Sequence, residues 1–433
     1  GGRGRARARG GGGCGLHGVG ARAADERDAE PLRVLYLSWR DRENPEAGGS
    51  EVFVERTSEV MSELGADVTI HTARFPGAAR RTMHGDVTVI RAGNRFTCYA
   101  AGLWHLVRHQ RDYDVVIDVQ NGVPFWSPLV ARIPVVAVVH HVHRDQWASI
   151  FGPRLARFGW LLESRVAPWV YRRCRYITVS KASRSELASL GVDAERVDLV
   201  YSGNDHPRDL DSYADVPRSA APSLTVLGRL VPHKQVEIAV DTLAELREEF
   251  PGLHLNVVGS GYWQPNIERH ARERGVEDAV HFHGFVDEAT KHTLLASSWV
   301  VMMPSYKEGW GLTIVEAGLH GTPAVAFAQA GGPSESIQHG STGALASTTA
   351  EMIDDVRVLL SRNDVREAYG RNAVTYARSF SWESAGRNVH HTLLDVLGRA
   401  ERAPQPPDTP LHVRRLRELV AERDARRGAA ELN

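Results

Sequence analysis

Residues 32–38 read Leu-Arg-Val-Leu-Tyr-Leu-Ser, a short β-rich apolar run of the kind that makes a buried strand. A loop with Asn44-Pro45 and Gly48-Gly49 follows. Over residues 50–64, Val52, Val54, Val60, Met61 and Leu64 fall at helical spacing, and Gly65 supplies the stop. Ala66-Asp67-Val68-Thr69-Ile70-His71 then reads as a second strand. Strand, loop, helix, strand is the opening unit of a parallel α/β sheet.

The alternation continues outward from this unit. Val115–Val119 and Val135–Val139 are continuous apolar runs, as expected of strands covered on both faces. Tyr176–Ser180 reads as a strand, Ser183–Leu190 as a helix stopped by Gly191, and Val197–Tyr201 closes this half. Residues 206–222, with Pro207, Pro217 and Pro222, read as a linker. A second cycle follows, with strands at 223–227, 253–258, 280–283, 300–303 and 324–327 and helices at 236–250, 265–274, 291–296 and 312–320. The predicted fold class is α/β, with two Rossmann-like domains (30–205 and 223–381) facing a cleft and a last helix over 382–398. Residues 1–29, rich in Gly, Arg and Ala, are expected to be disordered. Residues 399–433 form a charged tail with Pro404, Pro406, Pro407 and Pro410, also expected to be mobile.

At 433 residues, two or three domains are expected. The formal net charge of −1 offers nothing to a nucleic acid. Cys14, Cys98 and Cys174 are far apart and form no CxxC pair, so neither a zinc site nor a disulfide framework is suggested, and a reducing compartment fits. No apolar run of about 18 residues occurs, nor does the apolar stretch of a signal peptide.

The densest chemistry lies in Pro304-Ser305-Tyr306-Lys307-Glu308-Gly309-Trp310-Gly311-Leu312-Thr313-Ile314-Val315-Glu316-Ala317. A strand ends at Met303, and a glycine-containing loop opens a helix whose free N–H groups favour an anion or a hydroxyl. Glu308 in the loop and Glu316 in the helix can reach one cleft at different depths, where carboxylates accept from vicinal sugar hydroxyls. A surface glutamate plus a first-turn glutamate favouring the helix dipole is the plainer alternative. Arg229 and Lys234, in Gly228-Arg229-Leu230-Val231-Pro232-His233-Lys234, also follow a strand. Two cations there suit a diphosphate leaving group, though a solvated basic loop would look the same. Val257-Val258-Gly259-Ser260-Gly261 and Gly284-Phe285-Val286 end strands as well. Their glycines permit close backbone approach to a ligand, Phe285 could flank a base, and a plain tight turn remains an equal reading.

In the first half, Gly48-Gly49-Ser50-Glu51 joins strand to helix without a GxGxxG fingerprint, which argues against NAD or FAD. His140-His141-Val142-His143 follows a strand and can face the cleft. No HExxH pattern or carboxylate ligand set accompanies it, so a metal is not expected. Asp112-Tyr113-Asp114 reads as a strand-start cap rather than a metal-binding DxD.

In this order and spacing, these residues resemble the family 4 (group 1) retaining glycosyltransferases of GT-B architecture, from about residue 32 to residue 398. The most specific piece is Glu308-x7-Glu316 within PSYKEGWGLTIVEA. AGGSE at 47–51, GRLVPHK at 228–234, VVGSG at 257–261, GGPSES at 331–336 and the closing Phe380-Ser381-Trp382-Glu383 also match. The resemblance implies that Arg229 and Lys234 neutralise the donor diphosphate, Glu308 holds donor-sugar hydroxyls and Glu316 holds the ribose. It implies that Gly309, Trp310, Gly311 and Leu312 present backbone amides, and that Gly48 and Gly49 let their loop close over the donor. His140 would sit at the C1/C6 side of the sugar, and Gly228, Gly259, Gly284 and Phe285 would line the donor site. It further implies that the last helix crosses back to the N-domain, and that a hexosyl group leaves a UDP- or GDP-sugar with retention. No metal or other cofactor is implied, and the acceptor would be a sugar, a lipid-linked precursor or another small molecule. His233 and Gln235 depart from the usual Glu and Gly, His141 from a common Asp, and Trp310 from a frequent Phe. These departures bear on donor and acceptor identity.

A nucleotide-sugar 2-epimerase of the same architecture, which needs no acceptor, and an inactive sugar-nucleotide-binding protein are the competing readings. The full Glu308-x7-Glu316 context with GRLVPHK favours a transferase over the epimerase, and retention of Glu308, Arg229 and Lys234 argues against an inactive protein. Residues 154–175 combine Trp160 and Trp169 with Arg154, Arg157, Arg165, Arg172, Arg173 and Arg175. Such a basic, aromatic stretch suits peripheral contact with anionic lipid, or else a charged helix that packs its tryptophans inward. The expected location is cytoplasmic, with peripheral contact at the inner face of the membrane.

Overall fold

A computed structural model describes residues 30–144, 146–147, 151–204 and 210–399. The segment 1–29, residues 206–209 of the linker and all but the first residue of the 399–433 tail lie outside the described residues.

The first half builds an eight-stranded sheet from β1 (Arg33–Leu37), β2 (Asp67–Thr72), β3 (Arg81–His84), β4 (Val87–Arg91), β5 (Val115–Gln120), β6 (Val135–Val139), β7 (Arg175–Thr178) and β8 (Val197–Leu199). Their order is β3-β4-β2-β1-β5-β6-β7-β8. All pairings are parallel except β3 with β4, a hairpin on the outer edge. Every residue of β5 and β6 is buried, because helices cover both faces of the sheet.

The second half builds a six-stranded parallel sheet from β9 (Ser223–Leu227), β10 (His254–Val258), β11 (Val280–Gly284), β12 (Val300–Met303), β13 (Ala324–Phe327) and β14 (Gly343–Ala346). The order is β11-β10-β9-β12-β13-β14. Two elements differ from expectation by three residues or more at one end. The helix from Val236 stops at Leu246, four residues early. The helix expected at 291–296 runs from Glu288 to Ser297, because the Asp287 carboxylate caps it by accepting from the Thr290 amide at 2.8 Å. The β3–β4 hairpin, the helix Cys98–His109, β14 and the helices Thr349–Ser361 and Asn363–Ala377 add to the expected elements.

One apolar core crosses from half to half. Val34, Phe53, Ile117 and Val138 share a buried cluster with Trp310, Val315, Leu319, Trp382, Val389 and Leu393. The helix Trp382–Val396 lies along the helix Gly49–Glu63, with Trp382 and Phe53 rings 6.3 Å apart. The Asn204 amide nitrogen donates to the Ala377 carbonyl at 3.0 Å beside this crossing. The last helix therefore returns to the first domain and holds the cleft walls in register.

Candidate active site

The loops leaving the carboxyl ends of β1, β6, β9 and β12 meet one another, where parallel α/β sheets place their ligands. A Cβ added to Gly309 would lie 2.8 Å from the His140 carbonyl oxygen, and one added to Gly49 would lie 3.1 Å from Leu312 Cδ1. Glycine at 309 lets its loop approach the His140 backbone, and glycine at 49 makes room for the Leu312 side chain. Arg229 donates to the Glu46 carbonyl at 3.3 Å and so reaches across to the Gly48 loop.

Lys234 Nζ donates to Glu308 Oε1 at 2.5 Å, with side chains 20% and 14% exposed. Burial alone pushes the Glu308 carboxyl up. The Lys234 ammonium, helped by Ser305 and His233, outweighs it and leaves the group below the ordinary carboxylate range. A carboxylate and two cations, Lys234 and Arg229, thus stand at one end of the cleft. His140 is buried, with its ring edge-on to Phe53 at 5.2 Å. Its backbone oxygen accepts from Ser183 Oγ at 2.7 Å, while its ring Nε2 is buried with no protein partner. Burial, then His143, lowers its pKa to about 4, so the ring is neutral at neutral pH and can bond a hydroxyl.

Glu316 accepts from Lys291 Nζ at 2.8 Å, and the same ammonium reaches Glu288 at 2.7 Å. Burial works to lower the Lys291 pKa, but Glu316 and Glu288 together hold it above the ordinary lysine range. The Gly48 loop is held from behind. Glu51 accepts from the Gly48 amide at 2.7 Å and from Arg40 Nε at 3.3 Å. Burial lowers the Arg40 pKa, Arg229 adds to the effect, and Glu51 opposes it.

The other expected donor-site residues have these surroundings. Trp310 is 3% exposed and packs between Tyr201 at 4.7 Å and Phe380 at 5.0 Å. Its side chain belongs to the core between the domains, which leaves only its backbone to serve the cleft. Gly259 is required by the protein itself: a Cβ there would fall 2.0 Å from the Gly228 carbonyl oxygen. Its amide donates to Gly284 O at 2.7 Å, so Gly228, Gly259 and Gly284 knit the ends of β9, β10 and β11. Gly311, at φ 92°, adopts the left-handed turn that starts the helix Leu312–Leu319. Phe285 is 88% exposed beyond β11, a large ring with little protein cover.

Three residues given no role in the sequence analysis brace the surroundings of the cleft. Glu163 accepts from the His143 amide at 3.0 Å, stands 2.9 Å from His143 Nδ1 and accepts from Trp147 Nε1 at 2.6 Å. Glu335, in the GGPSES stretch, accepts from the Ala182 amide at 3.0 Å and from the Tyr201 hydroxyl at 2.9 Å. Lys307 forms an ion pair with Glu186 across the same boundary. The GGPSES match covers Glu335 without giving it a role, and a lone acid in a basic stretch gave no signal for Glu163. Among the described residues, no group of three or more His, Cys, Asp or Glu side chains is placed to hold a metal ion.

Two parallel α/β domains with charged loops meeting at their strand ends define the two-Rossmann-domain, GT-B architecture. A family model described as Glycosyltransferase Family 4 matches residues 47–208, and one described as Glycosyl transferases group 1 matches residues 216–375. The chain belongs to the group 1, family 4 glycosyltransferases. It is 28% identical over 424 residues to the glycogen synthase of Mycobacterium tuberculosis, covering 87% of this chain and 97% of that protein. It is 28% identical over 418 residues to the D-inositol 3-phosphate glycosyltransferase of Actinosynnema mirum, covering 85% and 97%. Among solved structures, the sucrose-phosphate synthase from Thermosynechococcus elongatus superposes with a TM-score of 0.71 at 19% identity, over 85% of this chain and all of that one. Anabaena Alr3699/HepE in complex with UDP-glucose gives 0.65 at 21% identity, over 84% and 100%. The superpositions bear on the fold.

Proposed function

We propose that the protein is a retaining hexosyltransferase that uses a nucleotide-sugar donor, with UDP-glucose as the first donor to test. The observation that carries this reading is the Lys234–Glu308 pair, with Arg229 beside it, at the strand ends where the two domains meet. The C1–O bond to the β-phosphate breaks while the acceptor oxygen bonds to C1 on the same face. The acceptor proton passes to a β-phosphate oxygen, and the nucleoside diphosphate leaves. Arg229 and Lys234 neutralise the charge that grows on the diphosphate, in place of a divalent metal. Glu308 faces the sugar ring as it gains positive charge, and His140 Nε2 takes a sugar hydroxyl. Glu316, oriented by Lys291, accepts from the ribose hydroxyls when the donor binds. The UDP-glucose bound by the Anabaena relative and the names of the curated relatives support a hexosyl donor. The acceptor we propose is a carbohydrate or a lipid-linked precursor, taken at the cytoplasmic face of a membrane.

The test is incubation with UDP- and GDP-hexoses, with and without EDTA and candidate acceptors, following nucleoside diphosphate release and the anomeric configuration of the product. Inversion at C1 would refute the proposed stereochemistry. Conversion of the donor to its 2-epimer without any acceptor would make the protein an isomerase.

A further inference from the structure

Residues 153–173 form one winding element: a helix Pro153–Leu161, a π-helical turn Leu162–Val166 and a helical turn Ala167–Val170. Its inner side is small and buried, with Ala156, Gly159, Ser164, Ala167 and Val170 against the domain. Its outer side carries Leu155, Phe158, Leu161 and Trp169 at 52%, 55%, 51% and 63% exposure. Water-facing leucine and phenylalanine in consecutive turns mark an interaction surface. Arg154, Arg157, Arg165, Arg172 and Arg173 are exposed around this row, and the Arg172 guanidinium lies 4.9 Å from the Trp169 ring centre.

The charge is one-sided. Glu163 is the only acid from Phe151 to Arg175, and it points inward, its side chain 1% exposed, bound to His143 and Trp147. A chain with net charge −1 therefore concentrates five exposed arginines on one apolar face. Two residues from the sequence expectation drop out: Trp160 is half-buried beneath Arg144, and Arg175 pairs with Asp198 at 2.8 Å. Leucine and phenylalanine take their place. Trp104 and Leu129, 68% and 65% exposed, project from the helical layer that covers the same face of the sheet.

We infer that this face docks on an anionic lipid bilayer. The apolar row enters the boundary between headgroups and acyl chains, and the guanidiniums bind lipid phosphates. A zwitterionic surface would leave the arginines uncompensated, and a flat acidic protein would leave the leucines and Phe158 in water. The docked element backs directly on the cleft, because its inward Glu163 holds His143 and Trp147. A membrane-borne acceptor would thus arrive at the cleft's N-domain wall. The docking itself does not depend on the transfer chemistry.

The test is flotation of the full chain with vesicles of phosphatidylcholine alone and of phosphatidylcholine with phosphatidylglycerol. Binding to the anionic vesicles only, weakened by salt, is expected. At about fivefold per arginine, Arg165→Gln with Arg172→Gln should lower partitioning about 25-fold. Leu155→Ser with Phe158→Ser should also release the protein. These side chains are exposed, so unchanged thermal melts separate lost docking from lost folding, and UDP binding by the same variants reads the cleft separately. Equal binding to both vesicle types, or to neither, overturns the inference. So does a dimer in light scattering that the Leu155/Phe158 variant abolishes, since the face would then meet a second copy.

Discussion

Lys234→Ala removes the cation that lies 2.5 Å from Glu308, and the structure separates what this does to folding from what it does to chemistry. Both side chains are mostly buried, so the deletion leaves a carboxylate without its partner. Breaking a fully buried pair costs about 3–5 kcal/mol. The residual exposure of 14% and 20% admits water from the cleft, which brings the expected loss to about 1–3 kcal/mol. The chemical loss has another source. In the proposed reaction Lys234 stabilises charge that appears only as the diphosphate leaves, and removing one such preorganised group lowers kcat by about 10²–10³. The double variant Lys234→Ala/Glu308→Gln keeps no stranded charge. It should recover most of the thermal stability and none of the kcat. The assay is donor saturation kinetics beside thermal melts on the two single variants and the double. If the pair only braced the loop, Lys234→Ala would melt early yet turn over normally in the surviving fold. A near-normal kcat in folded Lys234→Ala would refute the proposed site.

The remaining predictions read other parts of the cleft. Glu308→Gln should lower kcat with little change in donor KM, whereas Glu316→Gln should mainly raise KM, because a ribose is held alike in ground and transition states; saturation kinetics on both check this. Lys291→Met should raise donor KM less than Glu316→Gln does, since Lys291 orients the carboxylate rather than replacing it. His71, His140, His233 and His320 have pKa values lowered to about 4, chiefly by burial. Each is neutral in the fold between about pH 6.5 and 4 while the unfolded chain takes up a proton. Stability should therefore fall as pH drops through this window, by about 1.4 kcal/mol per pH unit for each ring. Urea midpoints at pH 7 and 5.5 measure it, and a flat profile would contradict the burial of these rings. Glu335→Ala removes the acceptor of the Ala182 amide and the Tyr201 hydroxyl. It should cost about 1–3 kcal/mol and make the boundary between domains a faster site of limited proteolysis, with a raised donor KM.

The sheet strands were legible because parallel strands buried on both faces must be apolar throughout, as Val135–Val139 is. The edge strand β3 was not, because Arg81–His84 alternates exposed and half-buried residues and carries little apolar signal. Glu308, Lys234 and Arg229 could be named in advance because each directly follows a strand, where an α/β sheet exposes its loop to a ligand. Their pairing at 2.5 Å could not, because it spans 74 residues of chain.

The sequence alone determined the alternation of strand and helix, the two-domain division and the charged loops at the strand ends. Each of these is written in local composition and period. Tertiary structure alone decided which of those loop residues face the cleft. Trp310 sits in the same short motif as Glu308, yet Tyr201 and Phe380 bury it between the domains. Gly259 carries the pattern of a ligand-facing turn, yet the Gly228 carbonyl occupies the space a side chain would need. Glu163 lies among arginines, and a π-helical turn brings it inward to His143. Such outcomes depend on which distant segment arrives at a side chain, and that is settled by packing across the sheet rather than by neighbours along the chain.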